Sequence, residues 1–245
     1  EAAPRNDLMK EVGSYKGTGY DGRGSAEARK GMVRQGGGSD ASEAAVAAAL
    51  RWLADHQLPD GGWSFDHRVG PILNGPPRTS DHPGTMAQAR NGATAMAVLP
   101  FLGAGQTHKD GKYKATVQGG LGYLISHMKP DGSMHESGGS MYAHGLAAIA
   151  LCEAFGMTHD KALMAPAQAS LNFISYAQDP IGGGWRYGPR QPGDTSVVGW
   201  QLMALKSGHM SYLQVNPNTI RGSIKFLDTV QAQSGSFYGY TSPGQ

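Results

Sequence analysis

"RWLADHQLPDGGW", residues 51–63, decides the fold. It runs aromatic (Trp52), aliphatic (Leu53), three residues, Gln57, a glycine-bearing turn, and a closing aromatic (Trp63). The same order returns in "GYLISHMKPDGSM" (122–134), "NFISYAQDPIGGGW" (172–185) and "KFLDTVQAQSGSF" (225–237), with Met128 and Met134 replacing the glutamine and the aromatic of the second copy. The leading aromatics Trp52, Tyr123, Phe173 and Phe226 stand 71, 50 and 53 residues apart. Apolar residues at helical spacing precede each one, so every copy reads as the end of an amphipathic helix stopped at a turn. Gln57/Trp63, Gln178/Trp185 and Gln231/Phe237 are expected to be structural, the amide tying free backbone groups while the aromatic covers the turn.

Between these copies lie three segments that align without gaps: "ARNGATAMAVLPFLG" (89–103), "YAHGLAAIALCEAFG" (142–156) and "DTSVVGWQLMALKSG" (194–208). They are apolar nearly all round, the pattern of helices buried on every side. Gly103, Gly156 and Gly208 are the expected stops, where glycine takes a left-handed conformation cheaply, and Pro100 is a candidate kink. Alternating amphipathic and wholly apolar helices with a period near 50 imply stacked helix pairs in two layers, an all-α fold. The predicted outer helices span about 42–57, 114–128, 166–178 and 218–232.

The 245 residues suffice for a large core. A net charge of +2, with acids and bases intermixed, gives no nucleic-acid-binding face. No apolar run approaches the ~20 residues of a membrane span. The chain starts at Glu1 without a recognisable signal region, as expected of a cut or processed product. Cys152 is the single cysteine, so no internal disulfide forms and the compartment stays open, peripheral attachment to a membrane included. Residues 1–40 are glycine-rich and poor in large apolar side chains, which predicts a flexible arm or linker before a helical domain at 41–245.

"RGSIKFLDTVQAQSGSF" (221–237) resembles the QW repeat of squalene-hopene and oxidosqualene cyclases, with Phe237 at the usual tryptophan, and "RWLADHQLPDGGW" fits it intact. A weaker form of the repeat occurs in protein prenyltransferase β subunits. The resemblance covers about 44–240. It implies an α/α toroid, inner helices forming a barrel wrapped by outer ones. Four outer and three inner helices are an incomplete ring, expected to be closed by further sequence or by another chain, since soluble monomers avoid large open apolar faces.

Alignment of the inner segments superposes Ala89, Tyr142 and Asp194, and two residues on Asn91, His144 and Ser196. Tyr142, His144, Asp194, Thr195, Asn91 and neighbouring Arg90 are expected to form a polar rim on an apolar funnel, the usual design of a ligand site. In class II terpene cyclases a D-x-D-D motif stands at such a helix start and its middle Asp protonates an alkene or epoxide. On that motif "QPGDTSVV" keeps only the last Asp, Asp194, and puts Gly193 at the proton donor's place. The resemblance leaves Asp194 as candidate acid, with Tyr142, Trp200 and Trp185 sheltering cations through ring faces, worth ~2 kcal/mol when desolvated. Trp200 could equally be core. The competing reading of Asp194 is a helix N-cap worth about 1 kcal/mol.

Prenyltransferases hold zinc in this toroid with an Asp, a Cys two residues later and a distant His. Here Ser196 takes the cysteine's place, so no cofactor is expected, and a zinc site from Asp194, His144, His135 and Glu136 is the weaker alternative to His135 and Glu136 in a solvated turn. The Gly-Cys-Gly-Glu-Gln strip of thioester domains, another bearer of this fold, is absent. The long link from Ser64 to about Gln88 carries Asp66, His67, Asp81 and His82, as a lid, a partner-binding loop, or a plain surface loop. Two functions stand: cyclising or binding a long squalene-type isoprenoid, or a non-catalytic scaffold for a lipid or protein segment.

Overall fold

The computed structural model describes residues 20, 23, 25–66, 86–138 and 140–244. His67, Asp81 and His82 of the long link lie outside them. Among the described residues are eight helices: α1 (Ala26–Gln35), α2 (Asp40–Asp55), α3 (Arg90–Gly103), α4 (Lys114–Ser126), α5 (Ser140–Thr158), α6 (Lys161–Ala177), α7 (Thr195–Met210) and α8 (Pro217–Val230). A two-residue ladder, β1 (Gln231–Ala232) against β2 (Phe237–Tyr238), follows α8. No helix among these residues is long and apolar enough to cross a membrane.

The fold is an all-α toroid. Helices α3, α5 and α7 form the inner layer, with α5 packed against both others, and α2, α4, α6 and α8 lie outside. The inner helices run parallel: Ala143 faces Gly92 near one end, and Tyr142 meets Ser196 there. At the other end Ser211 reaches the carbonyl of Cys152. Every residue of α5 from Ala143 to Cys152 is buried, which accounts for its lack of a polar face. Three of the four outer helices start on short polar caps: Ser39 and Ser42 form a capping box on α2, Asp160 caps α6, and Asn216 caps α8 ahead of Pro217.

The repeat works as a staple. The Gln57 amide donates to the carbonyls of Gly61 and Thr116, at 2.8 and 2.9 Å, and so joins its turn to the first turn of α4. Gln178 repeats this on Gly183 and Thr219, tying α6 to α8. The indole N–H groups of Trp63 and Trp185 donate to the carbonyls of Leu53 and Ile174, each at 2.8 Å, closing the open end of the preceding helix. Gly183 sits at φ +81° with Gly222 backbone against its Cα, so it meets both the backbone and the space requirement. The fourth copy differs. Its turn is the β1–β2 hairpin, and Phe237 is exposed instead of covering it.

One expectation needs correction. Gly156 and Gly208 do not end their helices, since α5 and α7 run two residues further, and the left-handed positions are His159 and Tyr212. These glycines serve close approach instead: Gly208 to the Leu171 side chain, Gly156 to Tyr20 and Ser211. Pro100 stands inside α3, which continues to Gly103. Among its described residues the glycine-rich arm carries α1 and a Tyr20 that is only 6% exposed.

Candidate functional site

The predicted rim lies at the N-terminal ends of the inner helices, where each helix satisfies its free N–H groups differently. Asp194 caps α7: its backbone is extended, and its Oδ1 accepts from the Val197 N–H (2.9 Å) and the Ser196 hydroxyl (2.6 Å). It is fully buried, and its Oδ2 has no hydrogen-bond partner. Ala89, the aligned residue, has no side chain to cap α3. Glu136 does so from the turn after α4, its Oε1 accepting from the Gly92 N–H at 3.0 Å beside the N–H groups of Arg90 and Asn91. Burial raises the Glu136 carboxyl above its usual range against the lowering pull of those N–H groups. It is not a free side chain in a solvated turn.

The aligned pair Asn91 and His144 both grip Met134, which closes the second repeat. Asn91 Nδ2 donates to the Met134 carbonyl (3.1 Å), and the Met134 N–H donates to His144 Nδ1 (3.1 Å). His144 Nε2 then carries the proton and donates to the Ser170 carbonyl at 3.1 Å. Both ring nitrogens are engaged in the neutral tautomer, and burial pushes its pKa down to about 4. A folded-state pKa below the unfolded value of about 6.5 makes the unfolded chain the better proton binder between those values. Stability from His144 is therefore complete above pH 6.5 and is lost as pH falls towards 4, by about 3 kcal/mol at most. Urea unfolding at pH 7 and pH 4.5 is expected to show that loss, and His144→Gln to shrink it.

His135 is held apart from this pair. Its Nδ1 lies 2.5 Å from the Ser133 hydroxyl and its ring stacks on Phe173 at 5.6 Å. Burial also lowers its pKa. Among the described residues no three His, Cys, Asp or Glu side chains assemble into a possible metal site, so Asp194, His144, His135 and Glu136 are not brought together as zinc ligands.

Two further expectations are redistributed. Arg90 does not face the rim: its guanidinium binds both Asp60 carboxylate oxygens (3.0 and 2.9 Å) and the Trp63 carbonyl (2.8 Å), and lies 5.0 Å over the Tyr123 ring. It holds the first turn of the repeat to the second outer helix. Trp185 is fully buried against the end of α6 and presents no face to a ligand, because its indole closes the Ile174 carbonyl. Trp200 is half-buried and packs its Cβ near Gly145 of α5.

What remains is compact. The Tyr142 hydroxyl is 2.5 Å from the Ser196 hydroxyl, and Ser196 donates to Asp194, so Tyr142 donates in turn. This makes a relay from a half-buried phenol to a buried carboxylate. Tyr187 lies 6.1 Å from Tyr142, and its hydroxyl is 2.5 Å from that of Tyr240. Arg186 sits over both rings, at 5.6 and 5.8 Å. That hydrogen bond, with burial and the nearby Asp194 carboxylate adding to it, pushes the Tyr240 phenol up to about 12. The 239–240 segment covers the start of α7, where the Thr195 N–H and hydroxyl donate to the Tyr240 and Gly239 carbonyls at 2.9 and 2.6 Å. The sequence reading missed Arg186, Tyr187 and Tyr240. Their signal was faint: aromatics beside the last two turns of the repeat, with nothing to bring 187 and 240 together.

Gly193 is shut. A Cβ there would stand 2.6 Å from the Gly184 Cα and 2.9 Å from the Phe226 ring. No curated protein matches the chain. The family model described as squalene-hopene cyclase C-terminal domain matches residues 38–244.

Proposed function

We infer a binding role for this toroid, and not a proton-driven cyclisation, from the premise that the chain belongs to the squalene-hopene cyclase C-terminal domain family. Gly193 carries the reading. It occupies the place the resemblance gives to the proton donor, and the backbone of Gly184 leaves no room for a carboxyl side chain there. Asp194 beside it is the α7 cap and faces no solvent. The ligand class is an elongated apolar molecule of isoprenoid type. The half-buried Trp200 and the exposed Met203 of α7 are its candidate contacts, while Tyr142 and Ser196 supply polar anchoring.

One observation favours a catalytic alternative: the unpartnered Asp194 Oδ2, joined through Ser196 to Tyr142, is where a proton could be held for delivery. Asp194→Asn separates the two readings. Asparagine still caps a helix, so stability changes by less than about 1 kcal/mol. On the binding reading, the purified protein retains lipid by native mass spectrometry equally in both forms, and squalene or oxidosqualene yields no cyclic product with either. Cyclic product from the wild type that disappears in Asp194→Asn would establish Asp194 as the acid and end the binding reading.

A further inference from the structure

We infer that the C-terminal ends of the inner helices form a recognition socket for a peptide with tyrosine followed three residues later by arginine, and that Tyr20 and Arg23 of the arm fill it in cis. The rim lies at the other end of the same helices. A glycine-rich, polar arm has little reason to bury anything. Tyr20 is nevertheless only 6% exposed, and its hydroxyl donates to the Ser207 carbonyl of α7 at 3.2 Å. The ring lies on Gly156 of α5, where a Cβ would collide with it. Beneath, the Ser211 hydroxyl spans the carbonyls of Cys152 (2.7 Å) and Ser207 (2.8 Å), so the floor joins α5 to α7.

Arginine is read separately. Arg23 pairs with Glu153 at 2.6 Å, with side chains 32% and 14% exposed, and its guanidinium lies 5.3 Å over the Tyr20 ring. Ser207 holds the other Glu153 oxygen at 3.5 Å. The Arg23 carbonyl rests on Gly105, just after α3, where again a side chain would collide. The turn after α3 and the helices α5 and α7 thus each supply one element: an open floor at Gly105, a carboxylate at Glu153, and a phenol acceptor at Ser207. A phenol acceptor, a glycine-made slot and a half-buried carboxylate form a specific set: a ligand without the arginine strips Glu153 of its ion pair, and one without the ring leaves the slot over Gly156 empty. Beside Tyr20 a cleft of about 480 Å³ remains, lined by Thr107, Lys109, Asp110, Thr158 and His159, giving a bound chain room to pass.

A tethered arm acts at an effective concentration on the order of millimolar. A free peptide should therefore compete poorly with the intact arm and bind once the arm is disabled. The test uses the full chain carrying Tyr20→Ala with Arg23→Ala, and a fluorescent peptide of sequence 18–36. Cys152, buried next to Tyr20 on α5, serves as a second reporter through its rate of reaction with a thiol reagent. The peptide is expected to bind the double variant at least roughly tenfold more tightly than the wild type. Cys152 is expected to react roughly tenfold faster in the variant and to slow again when peptide is added. A peptide with both side chains changed to alanine should do neither. Equal peptide binding to both proteins, or faster thiol reaction that peptide leaves unchanged, would overturn the socket. Should the double variant fail to fold, Tyr20→Phe keeps the ring and loses only the hydroxyl. It is then expected to raise the wild-type thiol rate about fivefold, and an unchanged rate counts against the proposal.

Discussion

Gly193→Asp, which restores an acid to the place a cyclase would use, is expected to lower the thermal midpoint by about 10 °C or more and to generate no cyclase activity. The reason is geometric. Gly184 and Gly193 lie back to back, the Asp194 N–H donating to the Trp185 carbonyl at 2.9 Å, and the Phe226 ring closes the remaining side. A new Cβ 2.6 Å from the Gly184 Cα must push the backbone, because glycine has no side chain to move aside. Overpacking of this kind costs about 1–3 kcal/mol, and a carboxylate buried without a partner adds several more. For a chain of this length each kcal/mol is worth about 2–4 °C. Thermal unfolding followed by circular dichroism, with squalene turnover on the same sample, checks both halves. A variant as stable as the wild type that cyclises squalene would show that a side chain fits at 193 and refute the binding reading.

Trp185→Ala is expected to cost about 3–5 kcal/mol, again about 10 °C, with no specific effect on ligand retention at permissive temperature. Trp185 is the largest fully buried side chain of the described residues, and its N–H closes the Ile174 carbonyl at the end of α6. Removing it leaves a cavity and an unsatisfied carbonyl together. Trp200→Ala is the control: half-buried on α7, it should cost less stability and more lipid retention. The reverse order of effects would return Trp185 to the ligand and Trp200 to the core.

The fold was largely legible because a repeat states its rule several times. Glutamine, turn glycine and closing tryptophan marked the ends of α2 and α6, with variants at the other two, and the structure shows what they do: Gln57 and Gln178 reach Thr116 and Thr219 at the start of the next outer helix. The inner helices were visible as apolar segments of equal length, and Asp194 was readable as a cap from the Pro-Gly-Asp-Thr-Ser run that opens α7. The glycines within them were misassigned where close packing, and not a left-handed turn, demanded them. Local sequence cannot distinguish these uses, since both need only a missing side chain.

The candidate site was less legible. Alignment placed Tyr142, Asp194 and Ser196 at one end of the inner layer, and they do meet. It also placed Arg90, which leaves to clamp Asp60, while the resemblance added Trp185, which turns into the core. Glu136 reaching the start of α3, and Tyr187 meeting Tyr240, join residues more than forty positions apart. By itself the sequence determined the two-layer repeat and the Asp194 cap that opens α7, because periodicity and caps are written in neighbours. Only the tertiary structure decided that Gly193 has no room for a replacement, that a glutamate does for α3 what Asp194 does for α7, and that Tyr20 is buried. Those outcomes depend on which distant backbones touch, and contact distance is set by packing and not by order along the chain.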